Sequence, residues 1–404
     1  MRVLMLNAFH WLKGGVERTV FDETRWLEAA GHAVAHFATA DARNRPSPFA
    51  SHFAPAADFG ESTPAWRQLP QLPRAVWSAP AAHALAGLLA EWRPDVAHVH
   101  APSRYLTPSV LAELARARIP CVMTLHDFKP WCTNRVLFAR GEVCERCRGG
   151  HHWHAVTTGC VQRSRLKSLV GAIEAYTHDR RQAYRSVRRW LAPSRFVRDK
   201  AVELGADAER VRVLVHGVER VRGEDATGPP LPARFALYAG RLSEEKGVRM
   251  LPHVARAIAP VPLVVAGSGP LERWLDSERV QGLVRIGPLA EAPLAAVRAR
   301  AAVAVVPSLF PETFGYVVAE AQLDALPVVA SRIGALPELV THEATGLLVS
   351  PGDAAAFAAA VQRALADPAA ASWGEAAAAH ARAALAPATH VAGLIRIYEE
   401  AIAA

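Results

Sequence analysis

The sequence predicts an α/β protein made of two doubly wound parallel-sheet domains, and three observations carry that expectation. Short Val- and Leu-rich runs alternate with stretches of helical apolar spacing along almost the whole chain. The alternation breaks between His216 and Ala233, where Gly, Pro, Glu, Asp and Arg replace large apolar residues and Gly228-Pro229-Pro230 occurs. The 404 residues, 51% of them apolar, suffice for two cores, since a domain takes roughly 150 residues. Continuous apolar runs, rather than strict alternation, mark strands buried on both faces of a parallel sheet.

The elements follow in order. Arg2 to Asn7 is a short apolar run; after it come Gly14-Gly15 and a patterned stretch through Trp26, Leu27 and Ala30, ending at Gly31. That is strand, glycine loop, helix. Further strands are expected at Ala33 to Ala38, Val96 to His100, Cys121 to Leu125, Arg189 to Ala192 and Val211 to Val215. These define a first domain over 1–215 with a cysteine-rich insertion at about 128–165, followed by a linker at 216–233. A second domain over 234–387 restarts the series at Phe235 to Ala239, Leu263 to Ala266, Val284 to Ile286, Ala302 to Val306, Pro327 to Ala330 and Gly346 to Val349. The alanine-rich stretch from Ala354 to Ala384 reads as helix, because Ala is the best helix former and Phe357, Val361 and Leu365 recur at helical spacing. Ligands of open parallel sheets bind beyond the carboxyl ends of the strands, so the expected site lies between the two halves.

Composition narrows the function classes. An apolar half excludes a disordered or fibrous chain. Five cysteines in 404 residues exclude a disulfide-stapled mini-protein and suggest a reducing compartment. No apolar run approaches the roughly 20 residues that span a bilayer, and Val3 to Leu6 is too short for a signal-peptide core. A cytoplasmic protein is expected. Its charge of +8 is concentrated: Val161 to Lys200 holds 11 Lys/Arg against Glu174, Asp179 and Asp199, the same excess as the whole chain. Such a stretch is either the solvated face of a helix or a surface for anionic lipid or an acidic acceptor, the second reading implying peripheral contact with the inner membrane face through 161–200. No recognition-helix or RNP-type pattern accompanies the charge, so nucleic acid is not an expected partner.

Two segments carry chemistry. Tyr238-Ala-Gly-Arg241-Leu-Ser-Glu-Glu-Lys246-Gly247 places two cations five residues apart, just after a strand. Arg forks onto phosphate, Lys adds a point charge, and amides of a helix start add donors, which together suit a diphosphate. In Pro307-Ser308-Leu-Phe-Pro311-Glu312-Thr313-Phe314-Gly315-Tyr316-Val-Val-Ala-Glu320, seven residues separate the two glutamates. With a helix starting near Phe314, Gly315 lets the first turn approach a ligand. Glu312 then sits in the loop and Glu320 inside the helix, so that both can face one cleft and bond vicinal sugar hydroxyls.

The order Gly14-Gly15, His126-Asp127, Arg241 with Lys246, Gly267-Ser-Gly269-Pro270 and Glu312 to Glu320 resembles the retaining glycosyltransferases of the GT-B fold, family four, over nearly the whole chain. The resemblance implies two Rossmann-like domains facing across a cleft, with the last helix, about 388–404, crossing back to the first domain. It implies that Arg241 and Lys246 hold the donor diphosphate, that Glu312 contacts the donor sugar, and that Phe314, Gly315 and Tyr316 offer backbone amides. Glu320 would bond the ribose, His126 would stand beside the sugar, and Gly14 and Gly15 would form the glycine loop near the phosphates. The co-substrate would be a nucleoside-diphosphate sugar, with UDP or GDP as carrier, and the acceptor a glycan or lipid-linked molecule in surface polysaccharide or glycolipid synthesis. Two positions depart from the family pattern. Ala325 stands where glycine is typical, which costs about 1 kcal/mol if the backbone is left-handed there, and His216-Gly217-Val218-Glu219 replaces the common Asn-Gly-Val-Asp.

The chemistry also follows from the residues. As the diphosphate leaves, negative charge gathers on its oxygens, so preorganised cations act mainly in the transition state. None of the 13 aspartates lies two residues from another, so there is no D-x-D to hold a nucleotide-bound metal; Arg241 and Lys246 can supply that charge and no catalytic metal is expected. Gly267-Ser-Gly269-Pro270 lacks the third glycine of a dinucleotide fingerprint and reads as a turn, either beside the nucleotide base or merely structural. The alternatives to transfer are a sugar-nucleotide epimerase of the same fold and a non-catalytic nucleotide-binding module.

Cys132, Cys144, Cys147 and Cys160 form C-x11-C-x2-C-x12-C, with His151, His152 and His154 in the same loop. Four soft ligands with one C-x2-C pair suit structural Zn²⁺; reduced thiols or a disulfide are the other readings. Cys121, in a strand, reads as a buried apolar side chain. Residues from about Phe128 to Lys200 are expected to shape the acceptor site.

Overall fold

A computed structural model describes residues 1–56, 69–221 and 230–404; the part of the expected linker at 222–229, with Gly228 and Pro229, lies outside the described residues. The chain divides into two compact units. Unit 1 comprises Met1–Arg140, Cys144–His216 and His390–Ala404; unit 2 comprises Gly141–Val143 and Gly217–Thr389.

Unit 1 is built on a six-stranded parallel sheet of β1 (Arg2–Leu6), β2 (Ala33–Phe37), β3 (Val96–Val99), β4 (Cys121–Thr124), β5 (Val187–Ala192) and β6 (Val211–Val213). Their order is β2-β1-β3-β4-β5-β6. Side chains of a strand alternate between faces. Leu4 and Leu6 therefore pack with Leu85, Leu88 and Leu111 on one side, and Val3 and Met5 with Leu394, Ile397 and Tyr398 on the other. The second group belongs to the helix Pro387–Ala403, whose buried face is part of this unit's core. With both faces covered, apolar residues fill most strand positions, which is why the sequence shows short apolar runs; Arg2, His36, His98, Thr124, Arg188, Arg189 and Arg212 are the polar exceptions.

Unit 2 repeats the plan with β7 (Ala236–Ala239), β8 (Leu263–Ala266), β9 (Leu283–Gly287), β10 (Val303–Val306), β11 (Val328–Ser331) and β12 (Leu347–Val349). The order is β9-β8-β7-β10-β11-β12, again parallel. In each unit the order reverses once, between β1 and β3 and between β7 and β10, and crevices open at such switch points beyond the carboxyl ends of the strands. Ala325 has φ 56, the left-handed conformation that its glycine-typical position anticipates. Among the described residues no helix is long and apolar enough to cross a membrane.

Candidate functional site

At the switch point of unit 2, the segments leaving β7 and β10 are stitched together. The Leu309 amide donates to the Glu245 carbonyl at 2.8 Å. Gly247 has φ 71, and a Cβ there would lie 1.9 Å from the Pro307 carbonyl oxygen, so only glycine permits this approach. On that clamp Lys246 Nζ meets Glu312 Oε1 at 2.7 Å, and the Ser308 hydroxyl donates to the same oxygen at 2.7 Å. The Lys246 ammonium also stands 4.7 Å above the Phe310 ring. Glu312 is buried, and its carbonyl accepts from the Ala335 amide at 2.9 Å, so both backbone and carboxylate are fixed. Arg241 is exposed on the same β7 exit, its carbonyl accepting from the Tyr238 hydroxyl at 2.8 Å.

The exit of β8 explains its glycines. A Cβ on Gly267 would fall 1.9 Å from the Gly240 carbonyl oxygen, and one on Gly269 would fall 2.5 Å from that of Leu242. The Leu242 amide donates to the Ser268 carbonyl and the Leu271 amide to the Leu242 carbonyl, both at 2.9 Å. The turn therefore holds the loop that carries Arg241.

The helix after β10 runs from Tyr316 to Leu323, two residues later than expected, with Gly315 left-handed at its N-cap (φ 100). Phe314 is buried, with its ring 4.9 Å from that of Tyr316. Glu320 accepts from buried Arg298 at 2.8 Å, and Arg298 also binds Asp324 at 2.6 Å. Arg298 went unnoticed in the sequence because no motif contains it. Lys246, Glu312 and the turns at Arg241 and Gly267 thus gather at three adjacent strand exits, and Glu320 is anchored by Arg298.

In unit 1, Gly14 caps the helix Gly15–Ala29 in an extended conformation (φ −174), and both glycines are exposed. Glu17 in the first turn accepts from the Asn7 side-chain Nδ2 at 3.1 Å; burial raises its pKa. His126 follows β4. Its Nε2 is 3.0 Å from His100 Nδ1, and its ring stacks on that of His216 at 5.4 Å. His98 is bonded on both nitrogens, to Tyr398 and Thr124, each at 2.7 Å. Glu23 Oε2 lies 3.4 Å from His98 Nδ1 and 3.5 Å from His100 Nε2. These three donor atoms are close enough to one another to hold a metal ion. His98 is saturated and Glu23 Oε1 is taken by His390 at 3.0 Å, whereas Glu23 Oε2 and His100 Nε2 are buried without a hydrogen-bond partner; together they form a buried polar core behind His126. Burial, with the neighbouring imidazoles adding to it, holds His98, His100, His126 and His216 far below the usual histidine range, so all four are neutral at pH 7. Burial opposes charge on His390 too, yet the bond to Glu23 raises its pKa. Sequence reading assigned a site role to His126 alone and noted His216 only as a departure from the family pattern; the clustered histidines come from separate elements.

A pocket beside His126 is lined by Asp127, Lys129, Arg135 and Glu174. Lys129 binds Glu174 at 2.9 Å and Arg135 lies 3.7 Å from Asp127. Cys132, Cys144, Cys147 and Cys160 all line one cavity of about 10 Å³, and none is in a disulfide. Beside it His152, whose Nδ1 is buried without a hydrogen-bond partner, binds Asp179 through Nε2 at 2.9 Å.

Comparison with known proteins agrees with this plan. Residues 13–222 match the family described as Glycosyltransferase Family 4, and residues 233–367 match Glycosyl transferases group 1. The chain is 30% identical over 403 residues to a glycogen synthase of Mycobacterium tuberculosis, covering 92% of this chain and 87% of that protein. In structure it is similar to sucrose-phosphate synthase from Thermosynechococcus elongatus, with a TM-score of 0.72 at 21% identity over 100% and 99% of the two chains. It is also similar to Anabaena HepE in complex with UDP-glucose, with a TM-score of 0.69 at 20% identity over 99% and 100%. Two parallel-sheet Rossmann-like domains, each matching its own family region, and a relative aligned over almost the full chain place this protein in glycosyltransferase family 4, with the GT-B fold.

Proposed function

We propose that this glycosyltransferase moves a hexose from a nucleoside-diphosphate sugar to a glycan or lipid-linked acceptor with retention of configuration, in surface polysaccharide or glycolipid synthesis. The observation that supports this best is the Lys246–Glu312 pair at the switch point of unit 2, where a cation for phosphate and a carboxylate for sugar hydroxyls stand 2.7 Å apart. Arg241 and Lys246 stabilise the diphosphate as it leaves, and backbone amides at Phe314, Gly315 and Tyr316 add donors at the helix start. Glu312 orients the sugar, Glu320 bonds the ribose from its Arg298 anchor, and neutral His126 offers a hydrogen bond without a competing charge. The acceptor attacks the face the diphosphate leaves, and the diphosphate takes its proton. The pocket of Asp127, Lys129, Arg135 and Glu174 in unit 1 reads as acceptor-side, and Gly14 and Gly15 add amides at a helix start.

Anabaena HepE is seen with UDP-glucose, which favours UDP as the carrier. The test is a screen of UDP-, GDP- and ADP-sugars by thermal shift and by release of the nucleoside diphosphate. A protein that binds none of them, or that turns one over only by epimerisation, would contradict the proposal.

The cysteine loop is read as a structural zinc site separate from catalysis. Cys132, Cys144, Cys147 and Cys160 would hold the ion, and the loop would have to draw in to do so, because no three of their sulfurs lie within 4.8 Å of one another; His152, steadied by Asp179, would donate to one of the sulfurs. Metal analysis tests this: about one equivalent of zinc is expected, lost in Cys144→Ser/Cys147→Ser. Zinc retained by that variant would move the metal to Glu23, His98 and His100 and overturn the assignment.

A further inference from the structure

The basic segment of unit 1 carries an apolar face that its charge had hidden. Within the helix Arg165–Arg180, Leu166 is 69% exposed, Leu169 45% and Ile173 50%, and Tyr176 is also exposed. Trp153, 51% exposed, joins them through its amide, which donates to the Tyr176 hydroxyl at 3.1 Å. Half of the exposed large apolar side chains among the described residues are these five. The spacing explains the stripe: positions 166, 169, 173 and 176 fall on one side of a helix at 3.6 residues per turn. The opposite side, Ser168, Gly171, Ala175 and His178, is buried in unit 1.

Charge flanks the stripe. At 100° per residue, Arg165 projects to one side of Leu166 and Lys167 to the other, while Arg180 and Arg181 close its end. A contiguous exposed apolar patch rimmed by cations is costly in water unless something covers it. A partner rich in acidic side chains would match the cations but not five adjacent apolar groups. A bilayer with anionic headgroups matches both, accepting Leu, Ile and Trp below the headgroups and Arg and Lys at their level.

We infer that the helix Arg165–Arg180, together with Trp153, is a membrane-docking face that inserts Leu166, Leu169 and Ile173 into the surface of an anionic bilayer. The same unit carries the pocket beside His126, and Glu174 of this helix lines that pocket. The docking face and the pocket read as acceptor-side are therefore built on one element, which deepens the lipid-linked reading of the acceptor but stands independently of the donor site.

The test is flotation of the full chain with vesicles of phosphatidylglycerol and phosphatidylcholine, against vesicles of phosphatidylcholine alone. Wild type is expected to float with the anionic vesicles, less so at high salt. The triple variant Leu166→Ser/Leu169→Ser/Ile173→Ser is expected to lose about tenfold or more in partitioning. Arg165→Glu/Lys167→Glu is expected to weaken binding and flatten its salt dependence. All five positions are exposed, so circular dichroism and nucleotide binding should match wild type, which separates this result from failure of the donor site. Wild type that ignores anionic vesicles, or a triple variant that floats equally, would overturn the inference. So would a dimer in solution that the triple variant dissolves into monomers, because a second copy would then cover the face.

Discussion

Lys246 and Glu312, 66 residues apart in sequence, form an ion pair at 2.7 Å where the chain leaves two neighbouring strands. The pair holds the cation that would meet a departing phosphate against the carboxylate that would meet the sugar. A donor bound there would exchange partners within a prepared arrangement, which would limit reorganisation during the reaction.

Glu312 is expected to act on the sugar rather than on the nucleotide. Glu312→Gln keeps the shape and removes the charge. Turnover should fall by about a hundredfold, while affinity for the free nucleoside diphosphate changes little. Steady-state kinetics and calorimetric titration separate the two effects; an equal loss in both would place Glu312 on the diphosphate.

Arg298 anchors two carboxylates at once. Removing one member of a buried ion pair costs about 3–5 kcal/mol. Arg298→Met should therefore lower the melting temperature sharply, because Glu320 and Asp324 would lose bonds of 2.8 and 2.6 Å. Arg220 remains on Asp324 at 2.8 Å and limits the damage on that side. A melting temperature equal to wild type would show the triad to be solvated.

Gly374 sets helix propensity against packing. It lies in the helix Ala370–Ala384, where alanine is favoured by about 1 kcal/mol. A Cβ there would stand 2.0 Å from the carbonyl oxygen of left-handed Ala325. Overpacking against backbone costs about 1–3 kcal/mol, so Gly374→Ala should destabilise the protein despite the better propensity. Thermal denaturation of the single variant decides between the two.

The histidine cluster makes stability fall in acid. His98, His100, His126 and His216 have folded pKa values far below the unfolded value, with burial as the first cause. His10, at about 4, and His36, at about 3, behave alike. Below about pH 6.5 the unfolded chain binds protons that the folded chain refuses, each such group removing up to about 1.4 kcal/mol per pH unit. His390 works in the opposite sense: its raised pKa stabilises the fold below pH 6.5, and that contribution fades as pH rises through the folded value. Melting temperature should therefore drop steeply from pH 7 to 5, and the deficit of His390→Gln should shrink above neutrality. A flat profile would mean that the cluster is open to water.

The strands were legible because both faces of each sheet are covered, which leaves long apolar runs. β5 shows the limit. It begins at Val187, two residues before the expected Arg189, because Arg188 and Arg189 interrupt the run. Their partners, the Ala401 carbonyl at 2.7 Å and Glu400 at 3.2 Å, come from the last helix, which no local window includes. Ala325 was anticipated only conditionally, from the family pattern that has glycine there, and its φ of 56 is the left-handed conformation that such a position takes. At the site, Lys246 and Glu312 could each be named from their motifs, but their mutual bond depends on β7 lying beside β10. The Arg298 anchor and the histidines behind His126 depend on contacts between separate elements, and the apolar stripe of Arg165–Arg180 depends on which face of that helix packs inward.

The most direct measurement of the donor grip is calorimetric titration of UDP, GDP and ADP into wild type and Lys246→Ala. Loss of a charge-assisted contact to phosphate is worth about 1.5–3 kcal/mol. Whichever nucleotide wild type binds should therefore bind the variant at least about tenfold more weakly. Equal affinity in the two proteins would contradict a diphosphate site at Lys246, and with it the sugar chemistry assigned to Glu312.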